Sequence, residues 1–345
     1  MDIFNTKIAL DKLSKDFIEL KDSPGLFPAR SLISEILKSF VDKDGNFLEQ
    51  FQTTAFYPRL WELFLNELFK ELELKDISDQ NRPDFHLTKG DLDFFIEASC
   101  SNPAENDEYN DEFIEKAIEQ KDAITEKNLI DYYSIKIGSV LYSKLQKKYW
   151  NLDWVKEKPI ILAIKPSHNK LANFFPDYKI IEYLYGEEVK TIEDKEGKPQ
   201  IVQREIAHHT HKDKTIPSGF FNQPDAENIS AVIFSNTCDL HKFNRMGYEG
   251  NYKIPKIIMC RSGLKVNHKD RSTPSIFDYQ VGNNEPKEKW GEGISIFHNP
   301  KAKYPIDRSI FSSIRQLWIN EKGQYDGTTP EFFPFTSITG VVYCS

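Results

Sequence analysis

Short apolar runs, separated by segments of helical pattern, limit the fold of this chain more than any other feature of its sequence. Pro, Gly and Asn bound four such runs, which read as strands: PIILAIKPS, ISAVIFSNT, PKIIMC and GISIFHNP. Along the chain the order is a helix, a pair of strands, a helix, a strand, a long polar segment and further strands. That order predicts an α/β (α+β) fold, with a central mixed sheet flanked by helices.

Helical patterns are clearest in three segments. In FYPRLWELFLNELFKELEL, Pro58 suits the first turn, and apolar residues recur at helical spacing: Trp61, Phe64, Leu65, Leu68 and Leu72. A second helix is predicted from about Ala29 to Val41, just before the turn signal Lys-Asp-Gly. A third, longer helix is predicted to begin near Asn128.

The length of the chain bounds its domain organisation. With 345 residues, of which 39% are hydrophobic, it can form a large core. No linker is clear enough to require a second domain. We therefore expect a single domain over 51–345, with residues 1–50 as an N-terminal helical extension packed on it. An insertion is expected at about 175–225, where EDKEGKPQIVQREI reads as an exposed hairpin.

Cysteine spacing and charge indicate the compartment. The four cysteines lie far apart and form no C-x-x-C pair, which argues against a zinc finger or a disulfide framework. The N-terminus has charges every few residues, and no apolar run is long enough for a signal peptide or a membrane span. We therefore expect a cytoplasmic protein without a membrane partner. The net charge of −8 gives no general attraction to nucleic acid, although a local basic groove can coexist with it.

Two acids stand among apolar residues in RPDFHLTKGDLDFFIEAS, which reads as two strands around a turn at 88–91. Asp84 opens the first strand, and Glu97 lies near the end of the second. Antiparallel pairing brings such carboxylates close together on one face. Because buried charge is costly and like charges raise one another's proton affinity, an ion bridging the pair is expected. Oxygen ligands with room for water favour Mg²⁺ or Mn²⁺ over zinc.

The order of three features resembles the motif of the PD-(D/E)xK nuclease superfamily. These are a glutamate on a helix, Pro-Asp at the start of a strand and an acid on the next strand. The matching residues are Glu62, Asp84 and Glu97. The resemblance covers about 51–167, the α-β-β-β-α-β core of the restriction-endonuclease-like fold, and makes the later strands C-terminal additions.

The resemblance implies a metal-dependent nuclease that hydrolyses phosphodiester bonds. Asp84 and Glu97 would be the ligands of Mg²⁺ or Mn²⁺, and Glu62 would assist through a water or a second ion. The implied partner is nucleic acid, DNA in preference to RNA, in restriction or defence against foreign DNA. Because nucleases that cut both strands often pair their active sites by two-fold symmetry, a homodimer is compatible with this function.

The chain departs from the superfamily motif at one position. The motif places a lysine two residues after the second acid, where this chain has Ser99. Some members of the superfamily recruit the lysine from a neighbouring helix. Here Lys136 and Lys144 lie about two turns apart, on broadly the same face of the long predicted helix. We therefore expect Lys144 to be the catalytic lysine, Lys136 to contact a phosphate and Ser99 to lie at the substrate.

Structural interpretations of the same residues stay open. Asp84 would cap a turn, Glu97 would be an edge-strand acid paired with a lysine, and Glu62 would be solvated or paired with Arg59. On a lysine-rich helix, Lys144 would be solvated. The first alternative function is a catalytically inactive nuclease-like domain that binds nucleic acid or a protein partner, and both the lack of a lysine at Ser99 and the net charge of −8 favour it.

A histidine cluster in AHHTHKD, formed by His208, His209 and His211, supports a second alternative. His209 and His211 share a strand face and could bind zinc, with Asp213 or Asp225 as a further ligand. That alternative predicts a zinc hydrolase. Glycine-rich phosphate loops are absent from the sequence, which disfavours nucleotide hydrolysis and dinucleotide redox chemistry.

Overall fold

The computed structural model describes residues 3–43, 45–102, 109–120, 126–193, 199–270, 273–283 and 287–344. Within these ranges the α-helices are α1 (Lys15–Asp22), α2 (Phe27–Ser39), α3 (Phe47–Gln52), α4 (Phe56–Glu71), α5 (Asp111–Gln120), α6 (Glu126–Leu145), α7 (Asp177–Tyr185) and α8 (Leu240–Glu249). The strands are β1 (Lys75–Asp76), β2 (Phe85–Lys89), β3 (Leu92–Ser101), β4 (Ile160–Pro166), β5 (Glu187–Glu193), β6 (Pro199–Glu205), β7 (His208–His211), β8 (Lys214–Pro217), β9 (Ala231–Phe234), β10 (Ile257–Lys265), β11 (Ser275–Gln280), β12 (Ser295–His298), β13 (Arg315–Ile319), β14 (Tyr325–Thr328) and β15 (Ile338–Tyr343).

The main sheet is mixed and has the strand order β1-β2-β3-β4-β9-β12-β13-β14. β1, β2 and β3 pair antiparallel, whereas β3, β4 and β9 run parallel. β12 runs antiparallel to β9 and parallel to β13, and β14 pairs antiparallel with β13. A smaller sheet has the order β11-β10-β15. The predicted α/β fold with a central mixed sheet and flanking helices is confirmed.

Burial on both faces explains the continuous apolar runs of the central strands. Phe94 and Ile96 of β3 face a first core, which also receives side chains from α1, α2, α4 and α8. Phe95, between them, faces a second core formed with α6 and α7. Because successive strand residues point to opposite faces, a strand covered on both sides shows no polar alternation. All seven residues of β4 are buried in this way.

Most predicted elements are confirmed. The helix predicted around Trp61 is α4, and Pro58 lies in its first turn. α2 begins and ends two residues earlier than predicted. The four apolar runs form β4, β9, β10 and β12. The expected hairpin is formed by β5 and β6, and its tip at 194–198 lies outside the described residues.

The N-terminal helices share the first core with the sheet. Phe17 of α1 and Ile33 of α2 are fully buried there, together with residues of α4. Between 175 and 225, where the polar composition suggested an insertion, Ile180 and Leu184 of α7 are buried in the second core. None of the described helices is both long and apolar enough to cross a membrane.

Candidate active site

The β2–β3 hairpin places Asp84 opposite Glu97. Phe85 pairs with Ile96, so the residue before β2 lies across from the residue after Ile96. The Ala98 N–H donates a hydrogen bond to Asp84 Oδ2 at 2.7 Å. The Asp84 carboxylate is therefore held beside the part of β3 that extends past β2.

Glu97 is almost fully buried, with 4% of its surface exposed. Lys144 Nζ donates to Glu97 Oε1 at 2.6 Å, and the Tyr149 hydroxyl donates to the same oxygen at 2.7 Å. The other carboxylate oxygen, Oε2, is buried without a hydrogen-bond partner among the described residues, and so is Ser99 Oγ two positions later. Because a buried, unpartnered charged oxygen is costly, Oε2 marks a place suited to a cation.

Helix α6 brings Lys144 to the acid pair. Leu141 and Leu145 of this helix are buried in the second core together with Phe95 of β3. The Lys144 side chain is 27% exposed, and its amine ends at Glu97 rather than in solvent. β3 has β2 on one side and β4 on the other, so Glu97 does not lie on an edge strand.

Glu62 approaches the same region from α4. Trp61 Nε1 donates to the Ala163 carbonyl oxygen at 3.3 Å, which fixes α4 against β4. Arg59 Nη1 donates to Glu62 Oε2 at 2.7 Å, so these two residues form the ion pair considered from the sequence. Glu62 and Asp84 also line one cavity of about 250 Å³. The structure thus brings the three sequence-predicted acids into one neighbourhood.

Burial, together with the neighbouring carboxylates, disfavours a negative charge on Asp84. Burial, reinforced by the charges of Glu97 and Glu62, raises the pKa of Asp84 from 3.8 to about 8, although the Ala98 N–H and Lys144 oppose the shift. Burial and the Glu97 charge also raise the pKa of Tyr149, so its hydroxyl stays a donor. The site therefore favours the uptake of positive charge, either a proton or a metal ion.

The residues present fit a hard divalent cation. Asp84 and the unpartnered Oε2 of Glu97 supply carboxylate oxygens, the ligand type that Mg²⁺ and Mn²⁺ prefer. Across the described ranges, no group of three or more His, Cys, Asp or Glu side chains is placed to hold a metal. An ion at the acid pair would therefore keep several waters, as Mg²⁺ commonly does.

Lys136 lies farther from the acids than Lys144 does along α6. Lys136 precedes Lys144 by about two turns of the helix. Its amine is 5.3 Å from the centre of the Tyr132 ring. β7 packs against this part of α6, and the ring of His211 lies 5.6 Å from that of Tyr132. Lys136 is thus placed beside the β7–β8 hairpin.

His209 of the histidine cluster and one of its expected partners, Asp225, make contacts with other residues. His209 Nε2 lies 3.1 Å from Ser218 Oγ, and burial followed by the charge of Lys179 lowers the pKa of His209 to about 4. Asp225, one of the expected carboxylate ligands, pairs with Lys148 at 2.9 Å. These contacts give the zinc interpretation no assembled set of ligands among the described residues.

Sequence reasoning missed two residues that hold the acid pair. Tyr149 follows α6 in a short 3₁₀ turn and bonds Glu97. Lys43 Nζ donates to the Asp84 carbonyl oxygen at 2.6 Å. No local pattern distinguishes Tyr149 or Lys43 from other residues of their types, because each partner is distant in the sequence.

Comparisons with known proteins identify no relative. No protein-family model matches the chain, and no curated protein or solved structure matches it either. The function is therefore inferred from the side chains around Asp84 and Glu97.

Proposed function

We propose that this protein is a metal-dependent nuclease that hydrolyses phosphodiester bonds in nucleic acid. The observation that carries the proposal is the contact of Lys144 Nζ with Glu97 Oε1 at 2.6 Å. Lys144 lies on α6 and Glu97 on β3, so the two residues are distant in the sequence and meet only through the packing of the helix on the sheet. A lysine amine thereby lies beside an acid pair whose second residue, Asp84, has a pKa raised to about 8. Perturbed titratable groups held together in this way are typical of catalytic sites.

The order of elements supports the same proposal. From α4 to β4 the chain has a helix, three antiparallel strands, helices α5 and α6, and a strand parallel to β3. This is the α-β-β-β-α-β order of the superfamily core, with α5 added. Because one fold hosts many functions, this order supports the proposal only together with the side chains.

The side chains have distinct roles in the proposed reaction. Lys144 and Tyr149 both hold Glu97 Oε1, which leaves Oε2 and Asp84 to hold the metal ion. Bound there, Mg²⁺ would supply positive charge that offsets the charge of the scissile phosphate and favours ionisation of the attacking water. The Lys144 ammonium stabilises the negative charge that develops on the phosphate oxygens. Water adds its oxygen to phosphorus and loses a proton to solvent, the bond from phosphorus to one nucleoside oxygen breaks, and that oxygen takes up a proton from solvent.

One feature favours a second candidate function. The Lys144 amine already has a carboxylate partner, so the pair also suits a structural ion pair in a nuclease-like domain without activity. Such a domain would bind nucleic acid or a protein partner without cutting. The chain's net charge of −8 is compatible with this candidate.

The proposal includes the biological setting implied by the superfamily resemblance. DNA is the favoured substrate, the compartment is the cytoplasm, and restriction or defence is the expected role. Paired active sites in a homodimer would allow both strands to be cut.

Cleavage of mixed DNA and RNA in Mg²⁺ or Mn²⁺ tests the proposal. We expect wild type to bind the ion in calorimetry and to cut, and Asp84→Asn and Lys144→Met each to lower the cleavage rate by about 10²-fold or more. Lys147→Met, a change of an exposed lysine just after α6, is the matched control and should cut like wild type. Thermal unfolding of each variant verifies that it is folded.

The outcomes separate the two candidates. Wild type that binds no divalent ion and cuts no nucleic acid contradicts the nuclease. Binding of nucleic acid without cleavage by that same protein supports the inactive domain.

A further inference from the structure

The segment between α6 and β4 contacts the candidate active site at two points. Tyr149, near its start, donates a hydrogen bond to Glu97 Oε1 at 2.7 Å. Trp154, five residues later, donates from Nε1 to the carbonyl oxygen of Arg82 at 3.0 Å. Arg82 precedes Asp84 by two residues. The segment therefore contacts Glu97 directly and also holds the chain just before Asp84.

Hydrogen bonds and packing fix this segment in place. The N–H groups of Val155 and Lys156 both donate to the Leu152 carbonyl oxygen, at 2.9 and 3.1 Å. Val155 is fully buried in the second core, and Leu152 packs against that core. Trp154 nevertheless keeps 36% of its surface exposed. An aromatic side chain is thus held at a defined place on the surface, next to Arg82.

Arg82 presents a positive charge at the same place. It is exposed, and within the described ranges its guanidinium forms no ion pair or hydrogen bond. Two lysines of the neighbouring segment are already paired, Lys156 with Asp153 at 2.6 Å and Lys158 with Asp93 at 2.8 Å. The guanidinium of Arg82 is therefore available to a ligand without the loss of an existing contact.

The charge of Arg82 also reaches the acid pair. Burial and the charge of Glu97 raise the pKa of the Tyr149 hydroxyl, and the charge of Arg82 opposes this rise. Because electrostatic effects weaken with distance, the guanidinium lies near the contact between Tyr149 and Glu97.

An available arginine next to an exposed aromatic ring suits one kind of partner. A guanidinium binds a phosphate through parallel N–H groups, and an aromatic side chain stacks on the face of a nucleobase. In a duplex, neighbouring base pairs cover the faces of each base, so stacking on a side chain requires an unpaired base. The two side chains together therefore fit a single strand of nucleic acid.

We propose that Arg82 and Trp154 bind single-stranded nucleic acid beside the acid pair, with a phosphate at the Arg82 guanidinium and an unpaired base on the Trp154 ring. This inference rests on the proposed nuclease and names the class of its substrate. A duplex would use the same surface only after one of its bases had left the helix. The binding step requires neither the metal ion nor Lys144.

Binding measured in EDTA tests this surface without cleavage. The probes are fluorescein-labelled DNA and RNA single strands of one sequence, each compared with its own duplex. Fluorescence anisotropy at several salt concentrations gives the affinity and its dependence on salt. We expect wild type to bind at least one of the single strands, and to bind it more tightly than the corresponding duplex.

Arg82→Gln should weaken this binding about tenfold, because a charged contact to a phosphate is lost. It should also reduce the slope of log affinity against log salt by about 0.7, the value for one phosphate of a single strand. A substitution that acted only through local structure would leave this slope unchanged.

Two substitutions of Trp154 separate stacking from a structural role. Trp154→Leu should weaken binding at least about fivefold, whereas Trp154→Phe keeps an aromatic ring and should bind nearly as wild type does. Both variants lose the Nε1 bond to Arg82. Equal weakening by the two would mean that Trp154 only holds the chain at Arg82, and would contradict stacking.

Arg308→Gln is the matched control. Arg308 is also exposed and lies beside a tryptophan, 4.2 Å from the ring of Trp318. Trp318 belongs to β13, however, and four strands of the main sheet separate β13 from β2. This variant should match wild type in affinity and in salt dependence.

Three results overturn the proposal: no binding by any probe, binding that Arg82→Gln and Trp154→Leu leave unchanged, and a duplex that binds as tightly as its single strand. Cleavage in Mg²⁺ by wild type is measured separately. Cleavage together with unchanged binding in both variants rejects this surface alone. Binding that both variants weaken, without cleavage by wild type, rejects the nuclease and supports the surface.

Discussion

At the scale of single residues, Asp84 shows how folding changes the chemistry of a side chain. In the sequence it is an ordinary aspartate after a proline. In the structure, burial and two neighbouring carboxylates raise its pKa from 3.8 to about 8. The folded protein therefore keeps a proton on Asp84 at pH values where the unfolded chain has lost it.

This difference predicts how stability changes with pH in the absence of divalent metal. Below about pH 4 the proton is bound in both states, and between about pH 4 and 8 only the folded state binds it. Raising the pH across this window should therefore lower the free energy of unfolding, by at most about 1.4 kcal/mol per pH unit. Asp84→Asn, which cannot ionise, should lose this part of the pH dependence.

Urea unfolding in EDTA at pH 5 and pH 8 measures the effect. From pH 5 to pH 8, the free energy of unfolding of wild type should fall relative to that of Asp84→Asn. Parallel pH dependences of the two proteins would show that the Asp84 carboxylate is not perturbed.

At the scale of elements, the β2–β3 hairpin sets the geometry of the candidate site. Its register pairs Phe85 with Ile96 and Lys89 with Leu92, so Asp84 lies opposite Glu97. The turn between the strands contains Gly90, whose φ is +60°. A one-residue slip would move the Glu97 side chain to the opposite face of the sheet.

The turn predicts a contrast between two substitutions. A Cβ at Gly90 would meet nothing within 4 Å, so only backbone strain opposes a side chain there. Gly90→Val should destabilise the protein by about 1–2 kcal/mol, because β-branched residues strongly disfavour positive φ. Gly90→Asn should cost much less, since asparagine adopts this conformation readily.

Chemical denaturation compares the two variants with wild type. Equal losses from valine and asparagine would mean that the backbone of the turn is not under this constraint. If Gly90→Val also changes the register of β2 against β3, Glu97 is displaced from Asp84. Cleavage or Mg²⁺ binding should then fall by more than the loss of stability explains.

At the scale of the whole molecule, a buried ionic cluster joins α8 to the smaller sheet. Glu288 lies 2.8 Å from Arg245 of α8 and 3.2 Å from Arg261 of β10, and Lys242 lies 3.9 Å away. Burial opposes ionisation of Glu288, but Arg245 and Arg261 outweigh it and lower its pKa to about 2. The packing of α8 against β10 therefore depends on one carboxylate, that of Glu288.

Removing this charge should be costly. Glu288→Gln leaves three buried cations without their shared carboxylate and should destabilise the protein by about 3–5 kcal/mol. The control is Glu112→Gln, which breaks an exposed pair with Lys116 and should cost far less than Glu288→Gln, because solvent screens exposed pairs. Urea unfolding at pH 7 measures both, and similar values for the two variants would contradict the role of the cluster.

The sequence alone determined the local parts of this protein. Apolar runs and helical spacing predicted the strands of the sheet and α4, because periodicity records which faces of an element are buried. The hairpin at 82–99 was also predictable, since a turn signal between two apolar strands sets their pairing. That prediction included the juxtaposition of Asp84 and Glu97, and the alternation along β3 then places Ser99 on the face of Glu97.

Only the tertiary structure decided which distant residues meet. Lys144 was one lysine among several on its helix until the packing of α6 on β3 placed its amine at Glu97, 47 residues away. Tyr149 and the cluster around Glu288 carry no local signal either. The physical reason is that periodicity reports burial one element at a time, whereas the partner of a buried charge depends on how all elements pack together.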